Sequence, residues 1–174
     1  MHDDGLLRGD LHGVNRLPFV THLHDEDHDR LRSRARRECD GRWPHWSRSY
    51  CGDHAVIVGW RERVGVDVET LDRPIETTWS LHDELFRTTM MTAEERELAP
   101  PLDLVAARDM ALSLWCSKEA LAKALGTPLD WEPTRLRGPA LWPSRDVGRW
   151  RATYLGPDVL HFRALAWVVY DITQ

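Results

Sequence analysis

Apolar positions fall into two contrasting rhythms along the chain. Ala55-Val56-Ile57-Val58-Gly59-Trp60 has the β-branched density of a buried strand, and Val64 to Glu69 alternates as a second strand. Arg61-Glu62-Arg63 reads as the turn between them, so the pattern predicts a hairpin that carries Asp67 and Glu69 to its far end. Thr92-Ala93-Glu94-Glu95 is a capping box opening a short helix to about Leu98, and Pro100-Pro101 stops it. Asp103 caps a long helix over Leu104 to Leu125, with Gly126 just past its end and Pro128 beyond. Two further strands, Arg149 to Leu155 and Val159 to Tyr170, are predicted around a Gly156-Pro157-Asp158 turn.

Before these, the segment to about Leu23 reads as loop with one short strand around Leu17 to Val20. Asp25 to Cys39 reads as a solvated helix, with Leu31 almost its sole large apolar residue among five arginines. Pro74 closes the first strand unit. Antiparallel hairpins mixed with helices, without repeated βαβ units, predict an α+β class with helices packed on antiparallel strands.

The chain has 174 residues, enough for one ordinary domain or two small lobes sharing a core. A net charge of -5 gives no basic footprint, which argues against nucleic acid as a partner. No apolar run approaches a membrane span, and the first thirty residues are too rich in Asp, His and Arg for a signal peptide. The expectation is therefore a cytoplasmic protein without a membrane partner. Three cysteines, Cys39, Cys51 and Cys116, lack paired spacing and read as plain thiols. The nine tryptophans read as core or ligand-lining residues, with Trp43, Trp46 and Trp60 flanking the candidate ligand region.

On a strand, Asp67 and Glu69 share one face while Val66 and Val68 point into the core. On a helix, Trp115, Glu119 and Lys123 share one stripe, and a large aromatic beside an ion pair suggests a cleft. Asp67, Glu69 and Glu119 can converge on a hard divalent cation, with Lys123 beside it to meet an anionic substrate. Three carboxylates without an imidazole favour magnesium over zinc.

Two segments, Gly65-Val66-Asp67-Val68-Glu69 and Trp115-Cys116-Ser117-Lys118-Glu119-Ala120-Leu121-Ala122-Lys123, resemble the signature of the 4'-phosphopantetheinyl transferase superfamily. Trp46-Ser47-Arg48-Ser49-Tyr50-Cys51-Gly52 is similar to an altered form of an earlier element of the same family. The resemblance implies magnesium-dependent transfer of the 4'-phosphopantetheine arm from coenzyme A to a serine of an acyl or peptidyl carrier protein, of fatty-acid synthesis or secondary metabolism. It implies Asp67, Glu69 and Glu119 as metal ligands, Glu119 also as base, and Lys123 against the pyrophosphate. Asp67, Glu119 and Lys123 are thus the catalytic candidates.

By the same resemblance Ser47, Arg48, Ser49 and Tyr50 lie against the coenzyme A nucleotide, although Tyr50 stands where the family has histidine and Cys51 where it has serine. Only 64 residues precede Gly65, fewer than in the two-lobed, surfactin-synthetase-type members. This suggests an abridged N-terminal lobe, residues 1–64, before a C-terminal lobe, residues 65–174, in one compact unit. Arg37 and Arg42 are candidates for the 3'-phosphate, or are merely solvated. A different class of function stays open: a degenerate relative that binds coenzyme A or a carrier protein without transferring the arm.

Lys118 lies about 100° around the helix from Glu119. It is expected to serve a salt bridge or the carrier-protein surface, so that Lys118→Ala is milder than Lys123→Ala. His22, His24 and His28, set among Asp25, Glu26, Asp27 and Asp29, read as a polar loop rather than a metal site, and His45 and His54 have no motif context.

Overall fold

The computed structural model describes residues 17–72, 79–128 and 131–173. Its elements are β1 (Phe19–His24), α1 (His28–Cys39), β2 (His45–Cys51), β3 (His54–Trp60), β4 (Val64–Thr70), α2 (Glu84–Met90), α3 (Ala93–Leu98), α4 (Leu104–Leu125), β5 (Asp146–Val147), β6 (Trp150–Leu155), α5 (Pro157–Leu160) and β7 (Ala164–Asp171). The class is α+β, with two antiparallel sheets and packed helices. One sheet runs β1-β3-β2 and the other β4-β7-β6-β5.

The expected hairpin between β3 and β4 does not form. Each is a strand as expected, but β3 pairs with β1 and β2 while β4 pairs with β7, Asp67 standing opposite Trp167. The Arg61-Glu62-Arg63 connection passes the chain from one sheet to the other. The reason lies in burial on both faces. On β3, Ala55 and Ile57 pack with Leu31, Ala35 and Cys39 of α1, while Val56, Val58 and Trp60 pack on Val64, Val66, Val68, Ala166, Val168 and Tyr170 of the second sheet. Stacking the sheets buries both valine rows, at ~1.5–3 kcal/mol for each large aliphatic side chain taken from water. A two-stranded hairpin would pair the strands edge to edge and leave those rows without partners.

Smaller departures occur elsewhere. The first strand begins at Phe19 and runs to His24, and α1 begins at His28 because Asp27 is its cap, accepting from Asp29 N and Arg30 N. The 156–158 segment opens the one-turn α5, so the final strand starts at Ala164. Pro74 lies outside the described residues. The capping box and α4 fall where expected: Thr92 and Glu95 cap reciprocally, Asp103 accepts from Ala106 N, and Gly126 closes α4 at φ 83°.

Helix α4 covers the outer face of the second sheet, its alanines meeting β4 and β7. The contact is close enough to demand glycine at position 65. A Cβ there would lie 2.0 Å from Ala120 O and 2.6 Å from Ala124 N. Gly65 therefore sets the distance between the strand bearing Asp67 and the helix bearing Glu119.

Candidate functional site

Strand alternation turns Val64, Val66 and Val68 toward the shared core, and Gly65, Asp67 and Glu69 toward α4. From α4 the half-buried stripe of Trp115, Glu119 and Lys123 faces them. Trp115 Nε1 donates to Glu69 Oε1 at 3.1 Å, and Lys123 Nζ donates to Asp67 Oδ1 at 2.7 Å and to Val66 O at 3.1 Å. Ser49 of β2 donates to the same Asp67 oxygen at 2.7 Å, and Ser47 Oγ accepts from Val66 N at 3.1 Å. Strand β4 is the edge of its sheet, so Ser47 and Lys123 satisfy an N–H and a C=O that no strand partner takes.

Asp67 is 6% exposed, and its Oδ2 is buried without a hydrogen-bond partner among the described residues. An ionised oxygen in that condition is costly unless a cation meets it. Burial, then the Asp67 charge, pushes the Glu119 carboxyl above its usual range, with Lys123 and a hydrogen bond from Trp131 opposing. Glu69 adds to the upward push on Glu119. Burial also holds the Cys116 thiol well above the ordinary range, with Asp67 and Glu69 next in effect. These are the marks of excess negative charge in a dry place. An all-oxygen donor set with one orphaned carboxylate oxygen fits a hard divalent ion.

The three carboxylates are not drawn into a tight knot. Among the described residues, the group whose ligand atoms all lie within 4.8 Å of one another is His24, Asp53 and His54. Lys123 takes the place of a counterion on one side of Asp67.

Strand β2 divides its predicted ligand residues between two faces. Ser47 and Ser49 turn toward β4 and the carboxylates. Arg48 turns to the α1 side, where its charge acts on the Cys39 thiol and its guanidinium lies 5.2 Å from the Trp46 ring and 5.9 Å from the Tyr50 ring. One Arg48 nitrogen, Nη1, is buried without a partner among the described residues. Arg42 pairs with Glu38 and lies over the Phe19 ring, and Arg37 is exposed on α1. Arg37, Arg42, Arg48 and Tyr50 are thus not gathered with Asp67. Of the tryptophans named from sequence, Trp60 is core, Trp43 stacks on Phe19, and Trp46 is exposed beside Arg48.

Lys118 is neither near the carboxylates nor on any surface. Its ammonium lies inside the protein, donating to Glu95 Oε2, Met90 O and Pro133 O at 2.6, 2.6 and 2.7 Å. Glu95 also accepts from Thr92 N and Gly138 N. Of the two expectations for Lys118 the salt bridge is the one realised, and the surface role is excluded. Sequence reasoning passed over Trp131, which has no motif spacing to mark it. It read His22 and His24 as part of a polar loop, whereas they lie on β1, where the register sets His24 opposite His54 of β3.

Residues 63–163, more than half of the chain, match the sequence profile of the 4'-phosphopantetheinyl transferase superfamily, and the chain belongs to that superfamily. No curated protein matches it. Among the described residues no helix is long and apolar enough to cross a membrane.

Proposed function

We propose that the protein transfers the 4'-phosphopantetheine arm of coenzyme A to a serine of an acyl or peptidyl carrier protein, with magnesium held by Asp67, Glu69 and Glu119. The observation that carries this reading is the orphaned Asp67 Oδ2 beside a Glu119 carboxyl held above its ordinary range. A divalent cation bound there would neutralise the diphosphate oxygens and the charge that builds on the departing phosphate.

The carrier serine oxygen forms a bond to the phosphorus that bears the pantetheine arm. The phosphoanhydride bond to the adenosine side breaks, releasing adenosine 3',5'-bisphosphate. Glu119 takes the serine proton, and its raised proton affinity brings it nearer the working pH than an exposed glutamate. Lys123 meets the diphosphate by releasing Ser49, its longest contact at 3.4 Å, while keeping Asp67 in place. Ser47 and Ser49 brace β4. We assign the residues up to 64 to an abridged first lobe and those from 65 to a second, as in the two-lobed members.

The turn of Arg48 and Tyr50 away from Asp67 favours a second reading, a relative that binds coenzyme A or a carrier protein without transfer. Mass spectrometry of a carrier protein incubated with coenzyme A, magnesium and the full chain separates the two. A gain of one pantetheine arm, abolished by Glu119→Gln, is the expected result, and unchanged mass across several carrier proteins overturns it.

A further inference from the structure

A second cluster of metal-ligating side chains lies at the far ends of β1 and β3. Antiparallel register sets His24 opposite His54, with His22 two residues back on the same face of β1. The β2–β3 turn adds Asp53. His24 Nε2 is 2.8 Å from Asp53 Oδ2, and His54 Nε2 is 3.3 Å from Asp53 Oδ1. His22 Nε2 and His54 Nδ1 are 2.8 Å apart, close enough to share one proton. Phe162 stacks on His54 with centroids 3.9 Å apart and on His22 at 4.9 Å, fixing both rings. A cleft of about 350 Å³, lined by Cys51, Gly52, Thr70, Asp72 and Arg163, opens on Asp53 and His54.

We infer that His24, His54 and Asp53 form a binding site for a borderline divalent transition metal of the zinc class, separate from the carboxylate cluster. Their ligand atoms already lie within 4.8 Å of one another. Two imidazoles and one carboxylate make a three-ligand set that leaves a fourth position for water, and the cleft gives that position room. The donor set distinguishes this site from the all-oxygen one, since imidazole nitrogen suits zinc and oxygen suits magnesium.

His22 acts behind the ligands. By accepting the proton on His54 Nδ1, it leaves the lone pair of His54 Nε2 facing Asp53, the arrangement that outer partners impose on metal-bound histidines. For Nε2 of a neutral His24 to bind the ion, the proton it donates to Asp53 moves to Nδ1 by way of water, so the ring keeps one proton and stays neutral.

Isothermal titration of the full chain with zinc chloride, in excess magnesium, tests the inference. One zinc is expected to bind, unaffected by Glu119→Gln. His24→Ala and His54→Ala should each weaken it by at least about 100-fold, and His22→Phe by ~10–100-fold. Imidazole nitrogen NMR of the unsubstituted protein needs no variant, and zinc should move the Nε2 signals of His24 and His54. No uptake at micromolar free zinc, unmoved Nε2 signals, or binding that survives His24→Ala and His54→Ala, each overturns the assignment.

Discussion

Lys118 Nζ and Glu95 Oε2 lie 2.6 Å apart with side chains 1% and 0% exposed, a buried ion pair joining α4 to α3 one residue before the helix presents Glu119. Every proton of the ammonium and both oxygens of the carboxylate are engaged. The pair therefore fixes the rotation and height of α4, and with them the direction of Glu119.

Removing one partner leaves the other charge buried and uncompensated. Lys118→Ala should cost ~3–5 kcal/mol, read as a lower midpoint in urea unfolding, a larger loss than any exposed ion pair of this protein would give. A midpoint within error of the unsubstituted protein would contradict the role assigned to the pair.

Glu119→Gln should eliminate transfer and leave the fold as stable or more stable at neutral pH. The folded state holds the Glu119 proton more tightly than the unfolded chain, so ionising it counts against folding as pH rises above the ordinary carboxylate range. Without metal, the variant's advantage in thermal midpoint should be present at pH 7 and vanish at about pH 3, where both states are protonated. Equal midpoints at both pH values would argue against the buried charge.

Gly65→Ala should injure stability and activity together. Its methyl would meet the backbone of α4, not a flexible side chain, so helix and strand must part. Overpacking of this kind costs ~1–3 kcal/mol or more. The measurement pairs thermal melting with the carrier-protein mass assay, and a variant that melts like the unsubstituted protein would contradict the close approach at position 65.

In chelator, stability should decline as pH falls from about 6.5 toward 4. His22 is lowered from 6.5 to about 4, and His54 is lowered too, chiefly by burial. A histidine kept neutral by folding stabilises the native state above its unfolded value and loses that contribution as acid protonates the unfolded chain first. Urea midpoints across this window should fall less steeply in His22→Phe. An unchanged slope there would place the acid sensitivity elsewhere.

Elements specified by local chemistry were legible in the sequence. Asp103 and Gly126 bracket α4 to the residue, and Thr92 with Glu95 marks α3. Strand partners were not legible, because a run such as Val64 to Thr70 prescribes an extended segment with one apolar face and says nothing of which edge it joins. Its partner, β7, lies about a hundred residues onward. Helix α2 is a single capped stretch of seven residues with two threonines, too weak a local preference to stand out. Spacing along α4 put Glu119 and Lys123 on one face with Trp115. It also turned Lys118 away from them, but what waited on that other side, Glu95 and two carbonyls, comes from segments remote in the chain.

Ser47 and Ser49 rivet β2 to the edge of β4, so closing the gap between the two sheets and aligning Asp67 are one event. Whatever binds at Asp67 should therefore slow amide exchange along β2 as well as β4. The protein's own serines thus make the small sheet a reporter of occupancy in the large one.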